Sequence, residues 1–177
     1  MFELRAAASD DREFLWEVNR TALRPVVEAT WGWDEAFQVQ YFADHFTTSD
    51  RFIVRVDGVE VGVIQFTVEN DHVFLTSVAL LPEHQGRGIG TALVNRVLAE
   101  GRRHNLPVRL QVLKVNRARR LYERLGFEAY GESETHVRME RAAAHQWTDA
   151  GNSRQAGQGG ARGLFTLEPT SDAEKPE

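Results

Sequence analysis

Gly86, Gly88 and Gly90 stand at alternate positions in the run Val78-Ala-Leu-Leu-Pro-Glu-His-Gln-Gly-Arg-Gly-Ile-Gly-Thr-Ala-Leu93. An apolar strand pattern stops at Pro82, glycines follow, and a helical pattern begins at once. Glycine lets the backbone turn sharply and lets a ligand approach it without Cβ atoms in the way. The first amides of a helix lack intrahelical acceptors and carry the positive end of its dipole. The chemistry that such a turn offers is capture of a phosphate or pyrophosphate. Spacing separates the phosphate loops that use it. A Walker A loop needs a Gly-Lys pair, and the chain has none. A Gly-x-Gly-x-x-Gly dinucleotide loop fails in both registers, because its last glycine falls on Thr91 or Leu93, and Leu110–Lys114 offers no acid for a ribose. The pattern that fits is Gln/Arg-x-x-Gly-x-Gly/Ala, met by Gln85-Gly-Arg-Gly88-Ile-Gly90.

The elements that must position this turn are legible from periodicity. A short strand at Phe2–Ala6 precedes a helix whose start is expected from an Asp10/Glu13 capping box and whose end or kink is expected at Pro25. A second helix is predicted from Asp34. Two period-two runs flank Asp57-Gly58, a strong hairpin signal. His72–Leu81 reads as a central strand buried on both faces. A helix follows from about Gly88 to His104, then a strand at 108–113, a short helix at Asn116–Leu125 closed by Gly126, and strands near 127–131 and 135–141. The expected fold is α+β: a mixed, mostly antiparallel sheet of six to seven strands flanked by about four helices.

Here a resemblance can be stated. VALLPEHQGRGIGTALV resembles the coenzyme A pyrophosphate motif of the GNAT superfamily of acetyl-coenzyme A-dependent N-acetyltransferases. Asn116-Arg-Ala-Arg-Arg-Leu-Tyr122-Glu-Arg-Leu-Gly-Phe127 resembles that superfamily's second signature, whose commoner form has one more residue between asparagine and tyrosine. The resemblance covers about residues 2–141. It implies that Gln85, Gly86, Arg87, Gly88, Ile89, Gly90 and Thr91 hold the pyrophosphate. It also implies that the main chain of Val78 and Leu80 pairs with the pantetheine arm, and that Asn116 bonds that arm or orders its own helix. Tyr122 would sit near the sulfur. On that resemblance an amine would attack the thioester directly, the Leu80 amide would face the developing oxyanion, and Tyr122 would give the leaving sulfur a proton. Such chemistry needs no cysteine or serine nucleophile.

Some members of the superfamily carry a glutamate base on the central strand, six residues before the position that matches Leu80. Phe74 stands there in this chain. Glu69, His72, Glu134 and His136 are the candidate bases that remain, with a water chain to solvent as the alternative. The resemblance further implies an acceptor pocket bordered by the first two helices and the last hairpin. That implicates Glu28, Trp31, Trp33 and Asp34 on one side, and Glu134 and His136 on the other. The two tryptophans offer flat walls and the acids anionic ends, a combination that favours a cationic small molecule or a peptide amino terminus. Packing of the helix–helix loop is the competing reading of both tryptophans.

Composition bounds the rest. The chain has 177 residues, is 42% hydrophobic and contains no cysteine, which leaves no disulfide framework and no thiolate site. No apolar run approaches a membrane span and the first residues are too acidic for a signal peptide, so a cytoplasmic address is expected. No pair of histidines has metal-ligand spacing, so no metal is expected. The formal charge of −5 conceals a block of net +8 at residues 84–124, between stretches of −9 and −4. That block brackets the glycine turn and the tyrosine helix, where an anionic cofactor would lie. An acidic whole without a helix-turn-helix pattern or zinc ligands argues against nucleic acid. Residues 1–141 are therefore expected to form an acetyltransferase domain acting on a small-molecule or peptide amine, as a monomer or homodimer. A low-complexity, disordered tail is expected over 142–177. A non-catalytic acyl-coenzyme A sensor is the alternative, since it would keep the cofactor loop without the base.

Overall fold

A computed structural model describes residues 2–143. The expected tail at 142–177 lies, but for its first two residues, outside the described residues. The strands are β1 (Phe2–Ala6), β2 (Arg51–Val56), β3 (Val59–Val68), β4 (Val73–Leu80), β5 (Val108–Leu113), β6 (Glu128–Glu132) and β7 (His136–Arg141). They form one sheet in the order β1-β2-β3-β4-β5-β7-β6. Every neighbouring pair is antiparallel except β4 and β5, which run parallel. The helices are α1 (Arg12–Trp31), α2 (Glu35–Asp44), α3 (Ile89–His104) and α4 (Arg119–Arg124), with α3 as the crossover that a parallel pair requires.

Alternation along the strands sends apolar side chains to two cores. On one face Leu15 and Val18 of α1 and Phe42 of α2 pack on Ile53, Val63 and Ala79. On the other, Leu93, Val94, Val97 and Leu98 of α3 meet Ile64, Leu75, Leu110, Val112, Tyr122 and Met139. Each such side chain contributes roughly 1.5–3 kcal/mol on burial. The β2–β3 hairpin turns on Asp57 (φ 51°) and Gly58 (φ 83°), the two positive values that a type I′ turn requires. No described helix is long and apolar enough to cross a membrane.

Three local expectations are corrected. Of the end or kink expected at Pro25, the end does not occur: the first helix continues to Trp31, where Gly32 (φ 84°) closes it and donates to Glu28. A proline removes one amide, so the loss falls on the carbonyl of Thr21, while buried Val27 helps hold the next turn. The Asp10/Glu13 box is replaced by a 3-10 turn at Ser9–Asp11. There Asp11 accepts from the Ala8 amide (2.7 Å) and receives both arms of Arg5 (2.8 Å each). The helix expected from Asn116 begins at Arg119, because the Asn116 side chain accepts from the Ala118 amide (2.9 Å) and spends those residues on a turn.

Candidate functional site

The site begins as a defect in the sheet. On β4, Leu75 faces Phe66 of β3 and Ser77 faces Gln65, so Thr76 is an extra residue, a bulge. An antiparallel ladder alternates bonded and non-bonded pairs. The Leu81 amide donates to Val61 (2.9 Å), which makes Gly62–Leu80 a non-bonded pair. Val78 and Leu80 therefore turn their main-chain N–H and C=O groups away from β3, toward β5. Before the bulge it is Val73 and Leu75 that face β5, and they pair with it. The parallel register ends at Leu75–Leu110, and beyond it the strands part. One group in the gap is already taken: the Leu80 carbonyl accepts from the Gln85 side chain (2.8 Å). That leaves the Val78 N–H and C=O and the Leu80 N–H facing the split.

At the end of β4, a 3-10 turn over Pro82–His84 leads into the glycine loop. Gly86 (φ 73°) and Gly88 (φ 82°) adopt the left-handed region that only glycine enters cheaply. A Cβ at either would meet nothing within 4 Å, so both face open space. Among the described residues none of the amides from Gly86 to Thr91 has a protein acceptor. Six successive donors at the N-terminus of a sixteen-residue helix, with no acid in its first turn, are an arrangement that can bind an anion. Gln85 ties this loop to the approach to α4, since its Oε1 accepts from Arg117 (2.8 Å).

The basic block divides in two. Arg96 and Arg103 pair with Glu100, Arg109 with Asp71 and Glu140, Lys114 with Glu132, and Arg119 with Glu123. Among the described residues Arg87, Arg102, Arg117, Arg120 and Arg124 form no ion pair. Of these, Arg87 lies in the glycine loop and Arg117 and Arg120 flank the start of α4.

Tyr122 is carried by α4 and locked by the turn behind it. Gly126 (φ 80°) closes the helix, Phe127 N–H donates to the Tyr122 carbonyl (3.0 Å), and the two rings meet edge to face at 5.8 Å. The residue is 8% exposed and shares a core with Leu80, Val78 and Ile89. Burial pushes its phenol up to about 12. The hydroxyl has no hydrogen bond to a described residue, yet it is not among the buried unpartnered atoms, so its oxygen keeps some contact with solvent. A phenol held this way stays protonated and can donate outward. Asn116 is half-buried beside this helix, with its Oδ1 committed to the Ala118 amide.

On the opposite face of the sheet, a cleft of about 400 Å³ is lined by Val27, Trp31, Gly32, Trp33, Asp34, Phe37 and Gln38. Its acids have partners. Asp34 caps α2 by accepting from Phe37 N–H (2.9 Å), and Glu35 accepts from the Trp33 indole (2.7 Å). Glu28 is exposed and lies 3.9 Å from Arg24, whose guanidinium covers the Trp33 ring at 5.5 Å. His136 is 4% exposed, bonds Thr135 Oγ1 through Nδ1 (2.8 Å) and approaches the Trp31 ring at 6.1 Å.

Of the expected acceptor residues, the structure therefore brings together Trp31, Trp33 and Asp34, with His136 touching the group through Trp31. Glu28 and Glu134 are exposed and do not line the cleft. Two candidate bases are misplaced. Glu69 and His72 sit in the β3–β4 turn, at the far end of β4 from Leu80, roughly 23 Å away at a strand's rise per residue. His136 lies opposite Leu113, at the end of β5 where the strands part. Val27, Phe37 and Gln38 were missed. Phe37 and Gln38 occupy the first turn of α2, and their place beside the Trp-Gly-Trp segment was the available signal. Among the described residues no cluster of three or more His, Asp or Glu is placed to hold a metal.

A mixed sheet split beside a parallel pair, with an amide cradle at the strand end, is the architecture of an acyl-coenzyme A N-acyltransferase fold. The Acetyltransferase (GNAT) family profile matches residues 12–127, and the chain belongs to that family. Among solved structures, PaiA N-acetyltransferase from Thermoplasma acidophilum, in complex with coenzyme A, superposes with a TM-score of 0.68 at 18% identity, covering 80% of this chain and 99% of its own. Spermidine N-acetyltransferase from Vibrio cholerae, in complex with coenzyme A and spermine, gives 0.60 at 23% identity, with 80% and 95% covered. Arabidopsis thaliana Naa50, with a bisubstrate analogue, gives 0.57 at 19% identity, with 80% and 98% covered. At these identities the likeness concerns the fold. No curated protein matches the sequence significantly.

Proposed function

We propose that the chain is an N-acetyltransferase that moves an acetyl group from acetyl-coenzyme A to a primary amine by direct attack, with residues 1–141 as the catalytic unit. The observation that carries this reading is the run of six acceptor-less amides, Gly86–Thr91, beside the split where Val78 and Leu80 present free main-chain groups. These residues suit the donor: the amides and Arg87 match a pyrophosphate, and the split strand matches an amide-bearing arm that adds as a strand would. Acetyl-coenzyme A, when bound, supplies an activated acetyl thioester. The Leu80 N–H is then the donor nearest the end of that groove and stabilises charge on the carbonyl oxygen. Tyr122 holds the proton that a departing thiolate needs. Asn116 orders the start of the tyrosine helix. Phe74 provides no proton acceptor, so deprotonation of the amine falls to His136 or to water at the mouth of the split.

One specific observation, the phenylalanine at position 74, favours a second reading as an acyl-coenzyme A sensor without turnover. A thiol-release screen of primary amines, run beside calorimetry with acetyl-coenzyme A, separates the two. Saturable binding and turnover of at least one amine are expected, with turnover lost in Tyr122→Phe. Binding without turnover would favour the sensor. Absence of binding at millimolar ligand would end both readings.

A further inference from the structure

We propose that the acceptor is a primary amine borne on a compact apolar body, seated against Trp31, Trp33 and Phe37, and not a polyamine. The proposal rests on the acetyl-transfer reading for where the amino group goes, and on the cleft itself for the rest. The cleft lies on the α1/α2 face, while α3 and α4 cover the other face. Trp31 links it to the split through its ring contact with His136, which stands opposite Leu113 where β5 leaves β4. An acceptor in this cleft therefore reaches the gap from the side opposite the tyrosine helix.

A polyamine needs several carboxylates to spare, one for each ammonium group. Here Asp34 is held by its own helix N-terminus, Glu35 by the Trp33 indole, and Glu28 lies outside the cleft beside Arg24. Arg24 lies over the Trp33 ring, so that face of the tryptophan already carries a guanidinium. What remains to contact a ligand is aromatic and aliphatic surface with one buried amide, Gln38, and one carboxylate, Asp34, enough for a single ammonium group. Phe37 is 47% exposed at the rim, a ring with unspent apolar area. A volume of about 400 Å³ suits a single ring with a short arm. The same lining has a chemical consequence. Desolvation disfavours the charged form of an amine, so an apolar cleft helps to deliver the neutral nucleophile that position 74 is not built to generate.

The test uses the full chain saturated with coenzyme A, titrated with 2-phenylethylamine, cyclohexylmethylamine or spermidine and followed by tryptophan fluorescence and calorimetry. Both apolar amines are expected to bind at least about tenfold tighter than spermidine. Phe37→Ala is expected to weaken them about fivefold, from some 40 Å² of ring face no longer covered, and to leave spermidine unchanged. Spermidine binding as tightly as either apolar amine, no binding of the apolar amines, or an equal loss for all three in Phe37→Ala would overturn the proposal. The wild-type ranking decides the matter even if the variant folds poorly. Thiol release measured in parallel samples in which acetyl-coenzyme A replaces coenzyme A tests the transfer reading separately: selective binding without turnover would sink that reading and leave the preference of the cleft standing.

Discussion

Replacing Tyr122 by phenylalanine removes one oxygen from the centre of the site and little else. The ring stays on Phe127 and inside its core, so packing is conserved. The hydroxyl has no protein hydrogen bond to lose, so stability should hold or rise by up to about 1 kcal/mol, or roughly 2–4 °C in Tm for a chain of this size. Activity should not hold. Loss of a positioned acid costs roughly 10²–10⁴ in rate, and a thiolate is a fair leaving group even without a proton, which puts the expectation near the low end. A fall of about 10² in kcat corresponds to about 2.7 kcal/mol of barrier. The pH dependence has a definite sign. Folding raises this phenol from 10.0 to about 12, so its proton is bound more tightly in the folded state. The associated stability is fully present below pH 10 and is lost as pH rises from 10 toward 12. Across pH 7–10 the acid stays protonated, and any basic limb of kcat in that range must come from another group. Thiol-release kinetics and a thermal melt on the same preparation are sufficient. A variant that keeps more than a third of wild-type kcat, or one whose Tm falls by more than about 5 °C, would refute the assignment of Tyr122 as a proton donor that packing does not require.

Four further outcomes are expected. Gly88→Val forces a β-branched residue to a φ of 82°, at a cost of roughly 1–2 kcal/mol, with no atom for its Cβ to strike; coenzyme A affinity measured by calorimetry should drop more than about tenfold while the fold survives. Gly62→Ala is the opposite case, because a Cβ there runs into the Ala79 carbonyl oxygen, and Tm should fall by an amount equivalent to about 2–3 kcal/mol. Gln85→Ala frees the Leu80 carbonyl and Arg117, and should raise KM for acetyl-coenzyme A about fivefold with little change in kcat. The bond from Arg5 holds the Asp11 carboxyl below its ordinary 3.8, so its contribution is present above that pH and is lost as pH falls below it; acid unfolding of Asp11→Asn should show a shallower loss in that window.

What was legible in the sequence was local. Gly86 and Gly88 announce a backbone that glycine adopts most cheaply, and their place between a strand and a helix is enough to point to an anion-binding turn. Asp57-Gly58 specifies its own turn. Tyr122 needed its neighbours, since a lone tyrosine on an amphipathic helix reads as core, which it also is. The unread features depend on partners distant in the chain. The bulge at Thr76 follows from the register of β4 against β3, and the split from the divergence of β5, neither of which leaves a mark on Val73–Leu80 itself. Glu69 and His72 looked close to the site because sequence distance conceals the length of an extended strand. The acids around the Trp-Gly-Trp segment looked available as ligands because capping and indole contacts become visible only once α2 is placed. Pro25 signals an end or a kink because the cost of proline is local, whereas what sustains the helix beyond it is tertiary.

The parallel seam between β4 and β5, confined to Val73–Leu75 and Val108–Leu110, divides the domain mechanically. On one side lies a four-strand leaf with α1 and α2, on the other a three-strand leaf with α4, and α3 is the rib that packs across both. A molecule that bonds to Val78 and Leu80 along the seam and anchors on the first turn of α3 is therefore a strut as well as a reactant. Amide exchange in the free protein should distinguish the two leaves, and filling the seam should make them open as one.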